Sequence, residues 1–256
     1  MTNPPAKSPD EIKSAVRATY TQVAQGASCC GPSCGAPMDT GAVSIGRIGY
    51  APERVGAIPA AVLESNAGCG NPLAHARPKA GETVLDLGSG GGLDCFLAAQ
   101  EVGPQGRVIG LDMTDAMLQK AEENRRRLGL SQVEFRKGEM EAMPVESGAV
   151  DIIISNCVIN LSPDKAAVFR ESFRVLRPGG RFVVSDVVKT GEGGEGSMEE
   201  WCACIAGALT PEDYLGGLRA AGFEEAEIVE RKPYIAQGHE SNIIRAVKPA
   251  ATSACC

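Results

Sequence analysis

Residues Val84 to Asp94 read VLDLGSGGGLD. Val84, Leu85 and Leu87, interleaved with Asp86, predict a buried parallel strand. The glycines after it let the backbone turn sharply and approach a ligand with no Cβ in the way. From Leu93 to Val102 the residues Leu93, Phe96, Leu97 and Val102 fall on roughly one face of a helix, whose N-terminal dipole is then aimed into the turn. The dinucleotide pattern G-x-G-x-x-G is not met, because Leu93 stands where a third glycine is needed after Gly88 and Gly90. The spacing Asp86, Gly88, Gly90, Gly92 instead sets a carboxylate at the strand end, where it can meet a cation rather than a pyrophosphate. A second acid, Asp112, closes the next apolar run, Val108 to Leu111, where a ribose diol lies in a doubly wound sheet.

Outward from that stretch the chain alternates strands and helices. Gly106 to Asp112 is the second strand, and Thr114 is the N-cap of a helix from Asp115 to Leu128 that Gly129 ends. Val133 to Lys137 is the third strand, followed by Gly138, Glu139 and Met140. Val150 to Ser155 is the fourth, ending at Asn156 and Cys157 on the carboxyl edge of the sheet. Ser162 and Pro163 read as N-cap and first residue of a helix from Asp164 to Leu176, which Pro178-Gly179-Gly180 stops before a fifth strand, Arg181 to Val187. Ala226 to Val229 and Ile243 to Val247 read as a final antiparallel pair. Met198 to Leu209, with Trp201, Cys202 and Cys204, reads as an apolar helix, and Pro9 to Val23, after Ser8 as N-cap, as an amphipathic helix packed over the pocket. This divides the chain into an N-terminal cap helix and cysteine-containing loop (1–76), a core domain (77–249) with an insert at 189–209, and a tail (250–256) ending in Cys255 and Cys256.

The net charge is -7, and no basic stripe with interleaved aromatics offsets it, which argues against a nucleic-acid partner. Arg125 to Arg127 share a helix with Glu122 and Glu123 and read as a solvated face. No apolar run approaches membrane-spanning length and the first residues lack a signal peptide's apolar stretch, so the expectation is a cytoplasmic protein with no membrane partner. A monomer is expected because no exposed apolar helix is evident. Ten cysteines against two histidines, His75 and His239, is the compositional anomaly. In a reducing compartment it points to metal or metalloid binding, redox chemistry or burial rather than a disulfide framework, and it disfavours a His-rich metal site or a nucleophile-histidine hydrolase. Cys29, Cys30 and Cys34 lie in a Gly-, Ala- and Ser-rich stretch that reads as loop, where a zinc site completed by one further cysteine stays open. Small residues bracket Cys69 in SNAGCGNP, which leaves two readings of its sulfur, at a surface a ligand can approach or filling a small apolar gap, whereas Cys95, inside the first helix, reads as core.

The strand, the glycine turn and the two acids resemble the S-adenosylmethionine-dependent methyltransferases of the Rossmann-like class I, which implies a mostly parallel, seven-stranded α/β sheet with helices on both faces. Taken together, SNAGCGNP, VLDLGSGGG, SNCVINL, RVLRPGG and CIAGAL are similar to the arsenite methyltransferases, over about Tyr20 to Val247. SNCVINL with CIAGAL is the specific part, because many methyltransferases share the glycine turn.

That resemblance implies S-adenosylmethionine as methyl donor and arsenite and methylated arsenicals as partners. Cys157 and Cys204 would be the thiolates that hold arsenic and Cys69 the third ligand. One of Cys29 or Cys30 would form a transient disulfide with Cys69, restored by a thiol reductant of the thioredoxin or glutathione type. For the donor it implies Asp86 with Gly88, Ser89 and Gly90 at the methionine and ribose end and Asp112 on the ribose hydroxyls. Met113 would lie on one adenine face, Glu139 and Met140 at the adenine edge, and Asn156 beside the donor. The chemistry is consistent: trivalent arsenic is soft and suits sulfur ligands, and its lone pair needs only a methyl group held in line. No general base is required, so the lack of a histidine or carboxylate dyad fits. Two other readings are a methyltransferase of a small organic acceptor and a non-catalytic protein that sequesters thiophilic metals.

Overall fold

The computed structural model describes residues 7–27, 49–56, 58–64, 68–191, 196–234 and 236–250. Cys29, Cys30, Cys34, Cys255 and Cys256 lie outside the described residues. One sheet of seven strands organises the rest, in the order β3-β2-β1-β4-β5-β7-β6. The strands are β1 (Thr83–Leu87), β2 (Arg107–Asp112), β3 (Val133–Lys137), β4 (Val150–Asn156), β5 (Leu176–Lys189), β6 (Glu224–Pro233) and β7 (His239–Val247). The first five run parallel, and β7 is antiparallel to both β5 and β6. The class I methyltransferase fold is therefore present, with the strand order reversing between β1 and β4, the crevice where such sheets take ligands.

Alternation along each strand sends successive side chains to opposite faces. Leu85, Leu87, Ile109, Ile153, Phe182 and Ile244 pack on one face with Phe169 and Tyr214, under α7 (Lys165–Val175) and α9 (Pro211–Ala220). Val84, Val108, Ile152, Ile154, Val183 and Ile243 pack on the other with Phe96 and Leu97 of α5 (Leu93–Val102). α5 has the expected bounds but no solvent face over most of its length. Leu93 to Ala99 are all buried, because Tyr50, Ile58, Val62 and Leu73 form a further layer above it and the small Cys95, Ala98 and Ala99 allow close approach. These covering residues come from the segment with three short helices, α2 (Pro52–Val55), α3 (Ala60–Glu64) and α4 (Pro72–Ala76).

α1 (Pro9–Ala24) starts as expected: Ser8 and Glu11 form a reciprocal capping box that satisfies two N–H groups at the helix start. Its buried Ile12 and Val16 join Cys157, Leu161, Cys202 and Cys204 in a third, smaller apolar cluster. α6 (Asp115–Leu128) ends at Gly129 in the left-handed conformation, but Thr114 makes no side-chain cap bond to the helix, since the Asp112 carboxylate lies beside it and takes its N–H.

The last two strands are longer than expected, and three further boundaries differ. α7 begins at Lys165 with Asp164 as N-cap, its carboxylate accepting from the Ala167 N–H, while Ser162 is engaged with Glu141. The same helix ends at Val175 and Leu176 pairs at once with Val150, so Pro178-Gly179-Gly180 shapes an irregularity inside β5 rather than stopping a helix. Of Met198 to Leu209 only α8 (Met198–Cys202) is helical. The chain then turns through Cys204, because a Cβ on Gly207 would stand 2.0 Å from the Asn160 carbonyl oxygen, a close approach that only a glycine in a turn allows. No helix among the described residues is long and apolar enough to cross a membrane.

Candidate active site

The carboxyl ends of β1 and β4 open into a cleft of about 1020 Å³, its mouth included, roofed by Lys13, Val16 and Tyr20 of α1. On the β1 side the backbone does most of the work. The Gly88 and Ser89 N–H groups donate to the Leu111 carbonyl at 2.8 and 3.0 Å, which folds the turn onto β2. Gly88 and Gly90 have φ of +67° and +50°, and a Cβ on Gly88 would strike Val158 at 2.3 Å. Asp112 accepts from the Gly90 N–H at 3.0 Å and the Thr114 N–H at 2.8 Å. Burial nevertheless raises its pKa, and these bonds only moderate the rise.

Two more carboxylates stand at the floor. Asp86 is 2% exposed, receives the Cys95 thiol at 3.2 Å, and is held well above the usual carboxylate range by burial and by the neighbouring charge of Asp94. Asp94 is raised by burial, against hydrogen bonds from the Tyr50 hydroxyl and from Asn156 Nδ2, the latter at 3.2 Å. Buried acids that repel one another favour a cationic ligand. Ser89 Oγ is buried with no hydrogen-bond partner among the described residues. A glycine-bared turn, an unpaired buried hydroxyl and acids at two strand ends fit a nucleoside donor with a positive centre. Met113, Glu139, Met140 and Asn156 also line the cleft. Glu139 is already paired with Lys13 at 2.7 Å and Arg17 at 3.3 Å, so its carboxylate ties α1 across the mouth.

The thiols gather at the end of β4. Cys157 follows the strand in the left-handed conformation (φ +64°), is 3% exposed, and donates its N–H to the Ser185 carbonyl at 2.7 Å. Cys204 is also left-handed (φ +65°) and 3% exposed, with its thiol on the Cys157 carbonyl at 2.7 Å. Cys69 is half-buried, its sulfur 3.3 Å from Ser185 Oγ. The Cys157 thiol is raised well above its ordinary pKa by hydrogen bonds with Cys204 and Cys69 and then by burial. The structure thus brings Cys69 and Cys204 to Cys157, all as free thiols, although among the described residues no group of three His, Cys, Asp or Glu side chains is placed to hold a metal ion. Cys95 is buried under Asp86 on the β1 side, and His75 pairs with Glu230 away from the cleft.

Glycines on either side set the Cys69 loop. A Cβ on Gly68 would lie 2.5 Å from the Asn156 amide, and one on Gly70 would lie 2.3 Å from Ser185 Oγ. Asn156 therefore does more than line the cleft. Its Oδ1 accepts from the Cys69 and Gly70 N–H groups at 2.9 and 3.2 Å, and its Nδ2 donates to the Gly70 carbonyl at 2.8 Å. Sequence reasoning missed Asp94, which looks like an ordinary acidic residue in a helix's first turn, and Tyr50. It also missed a buried trio behind the sulfurs. There Asp186, pushed up to about 7 by burial, accepts from the Tyr214 hydroxyl at 3.2 Å. Lys165, pulled down to about 8 by burial, lies over the Trp201 ring. The available signal was Ser185-Asp186 inside the apolar run FVVSDVV.

A model of the methyltransferase domain matches residues 78–231. The arsenite methyltransferase of Halobacterium salinarum is 44% identical over 238 residues, covering 88% of this chain and 60% of that protein. The arsenite methyltransferase of Aquipseudomonas alcaligenes is 41% identical over 160 residues, covering 59% of this chain and 46% of its own length. The chain thus spans between about half and three fifths of these curated relatives. Among solved structures, CrArsM, an arsenic(III) S-adenosylmethionine methyltransferase from Chlamydomonas reinhardtii, superposes with a TM-score of 0.61 at 32% identity, covering 85% of this chain and 76% of that one. The chain belongs to the methyltransferase-domain family and, within it, to the family of the arsenite methyltransferases.

Proposed function

We propose that this protein methylates trivalent arsenic held by Cys69, Cys157 and Cys204, with S-adenosylmethionine as donor. The observation that carries the reading is the gathering of those sulfurs at the end of β4, beside a cleft floored by buried acids. The arsenite methyltransferases of Halobacterium salinarum and Aquipseudomonas alcaligenes support it by name. S-adenosylmethionine supplies an electrophilic methyl group on a sulfonium. The residues that would hold it are Asp86, Gly88, Ser89, Gly90 and Asp112, with Met113, Glu139, Met140 and Asn156 around the adenosine and methionine ends.

Arsenite reaches the thiols as a trihydroxide. Each As–S bond replaces an As–OH bond, and the thiol proton leaves with that hydroxide as water, so the raised pKa of Cys157 does not block ligation. Three sulfurs leave the arsenic lone pair directed away from them, and the residues of β4 and the glycine turn then have to orient two reactants rather than move a proton. Methyl transfer to that lone pair leaves pentavalent arsenic. Two electrons return it to the trivalent state when two thiols close a disulfide, for which Cys69 with Cys29 or Cys30 is the proposed pair. A thiol reductant of the thioredoxin or glutathione type would reopen it, in keeping with a cytoplasmic, monomeric enzyme in which residues 1–76 cap the domain at 77–249.

Single-turnover product analysis with reduced protein, labelled donor and arsenite tests the proposal. Methylated arsenic should form with the unsubstituted protein and be lost in Cys157→Ser. Binding of both reactants without methyl transfer, in the presence of thiol reductant, would overturn it in favour of sequestration.

A further inference from the structure

We infer that Asp94, acting through Asn156, is a positioning residue that couples occupancy of the donor cleft to the placement of Cys69. Asp94 belongs neither to the glycine turn nor to the thiols, yet it touches the supports of both. Its Oδ2 accepts from Asn156 Nδ2 at 3.2 Å, and its other oxygen accepts from the buried Tyr50 hydroxyl. The Asn156 amide has no freedom left: with Nδ2 on Asp94 and the Gly70 carbonyl, Oδ1 must face the Cys69 and Gly70 N–H groups. The glycines on either side of Cys69 permit this contact, since a Cβ on Gly68 would occupy the place of the amide.

Asp94 and Asn156 both line the cleft, and Asp94 stands close enough to Asp86 for the two carboxylates to repel. A cationic ligand in the cleft relieves that repulsion and favours the ionised form of Asp94, to which the bond donated by Asn156 Nδ2 is charge-assisted. Asn156 then holds the Cys69 backbone more firmly, so an occupied donor cleft presents a better ordered thiol to arsenic. Linkage makes the effect reciprocal: arsenic on Cys69 must tighten the cleft for its cationic ligand by the same factor. The inference rests on the reading of Cys69 as an arsenic ligand.

Trp201, the chain's only tryptophan, packs against the apolar cluster that contains Cys204, and its emission is the probe of arsenite binding. Arsenite is titrated with and without a saturating donor analogue that carries an amine where the sulfonium methyl stands. The analogue should tighten arsenite binding about tenfold in the unsubstituted 256-residue chain, within the usual range of coupling between sites. Asp94→Ala should reduce that ratio to under about twofold, and Tyr50→Phe, which removes one hydroxyl behind Asp94, to an intermediate value. A ratio near one in the unsubstituted chain, or the full ratio in Asp94→Ala, overturns the inference. Should Asp94→Ala not fold, an unchanged ratio in Tyr50→Phe does so. Failure of the arsenic reading itself shows differently, as a Trp201 signal that ignores arsenite and no methylated product. A chain that methylates arsenite with a ratio of one loses only the coupling.

Discussion

The two halves of the cleft are built on different plans. The β1 side is contiguous: from Val84 to Asp94 one strand, one turn and one helix start supply nearly everything, and its hydrogen bonds run through backbone groups of Gly88, Ser89 and Gly90. The β4 side is assembled from three remote pieces, around Cys69, Cys157 and Cys204, held by side chains such as Asn156, Ser185 and Asn160. A turn made of main chain tolerates change in its neighbours' side chains, whereas a site made of side chains depends on each support. Adenosine-type donors are bound by shape and backbone; a thiophilic acceptor requires particular sulfurs, which only long-range packing can gather.

Separating the two halves is therefore possible by single substitutions. Gly70→Ala, whose Cβ would collide with Ser185 Oγ at 2.3 Å and which does not line the cleft, should displace Cys69 and lower kcat/KM for arsenite. The expected loss is about a hundredfold, or about 3 kcal/mol of transition-state stabilisation, and calorimetry should find donor affinity changed by less than about threefold. A parallel loss in donor affinity would break the contrast between the halves.

The next effect is on stability against pH and concerns the trio behind the sulfurs. Folded, Asp186 keeps its proton up to about pH 7, whereas the unfolded carboxyl gives it up near 3.8. The folded state binds more protons in that window, so this group makes stability fall as pH rises through it. Lys165 acts oppositely at higher pH, releasing its proton near 8 when folded and near 10.5 when unfolded, so its contribution to stability rises with pH there. Urea unfolding across both windows should show the first slope flattened in Asp186→Asn and the second in Lys165→Met. The smallest effect belongs to Arg126→Ala on α6. Arg126 is paired with Glu122 at 2.9 Å but largely exposed, and its loss should cost under about 0.5 kcal/mol in the same urea assay with neither half of the cleft affected.

The same contrast explains what the sequence made legible. All seven strands could be read, because most contain a short apolar run between turn signals and β3 alternates apolar with charged residues, and the two acids could be placed because they stand at or next to the ends of such runs. The donor side was readable from local spacing alone. The thiols were found as candidates from composition, but their grouping came from family resemblance, since no spacing rule relates Cys69 to Cys204. Supports of the thiols stayed hidden for the same reason: Asn156 was read as a donor contact, and its amide's grip on Cys69 exists only once the loop has folded over β4. The misread helix through Cys204 has a local cause. Apolar composition from Met198 to Leu209 suggested continuity, but Gly207 must press on the Asn160 carbonyl, which a helix running on from α8 does not do.

Cys157 and Cys204 both sit in left-handed backbone, which disfavours any side chain with a Cβ by about 1 to 2 kcal/mol per residue and suits glycine and, more weakly, asparagine. Each position therefore carries a backbone strain that the burial of its side chain offsets. In Cys204→Gly the relief of that strain is offset by the lost burial and the lost thiol bond to the Cys157 carbonyl, so the melting temperature should change little, and screening for thermal tolerance without an arsenic challenge would not protect the proposed sulfur ligand.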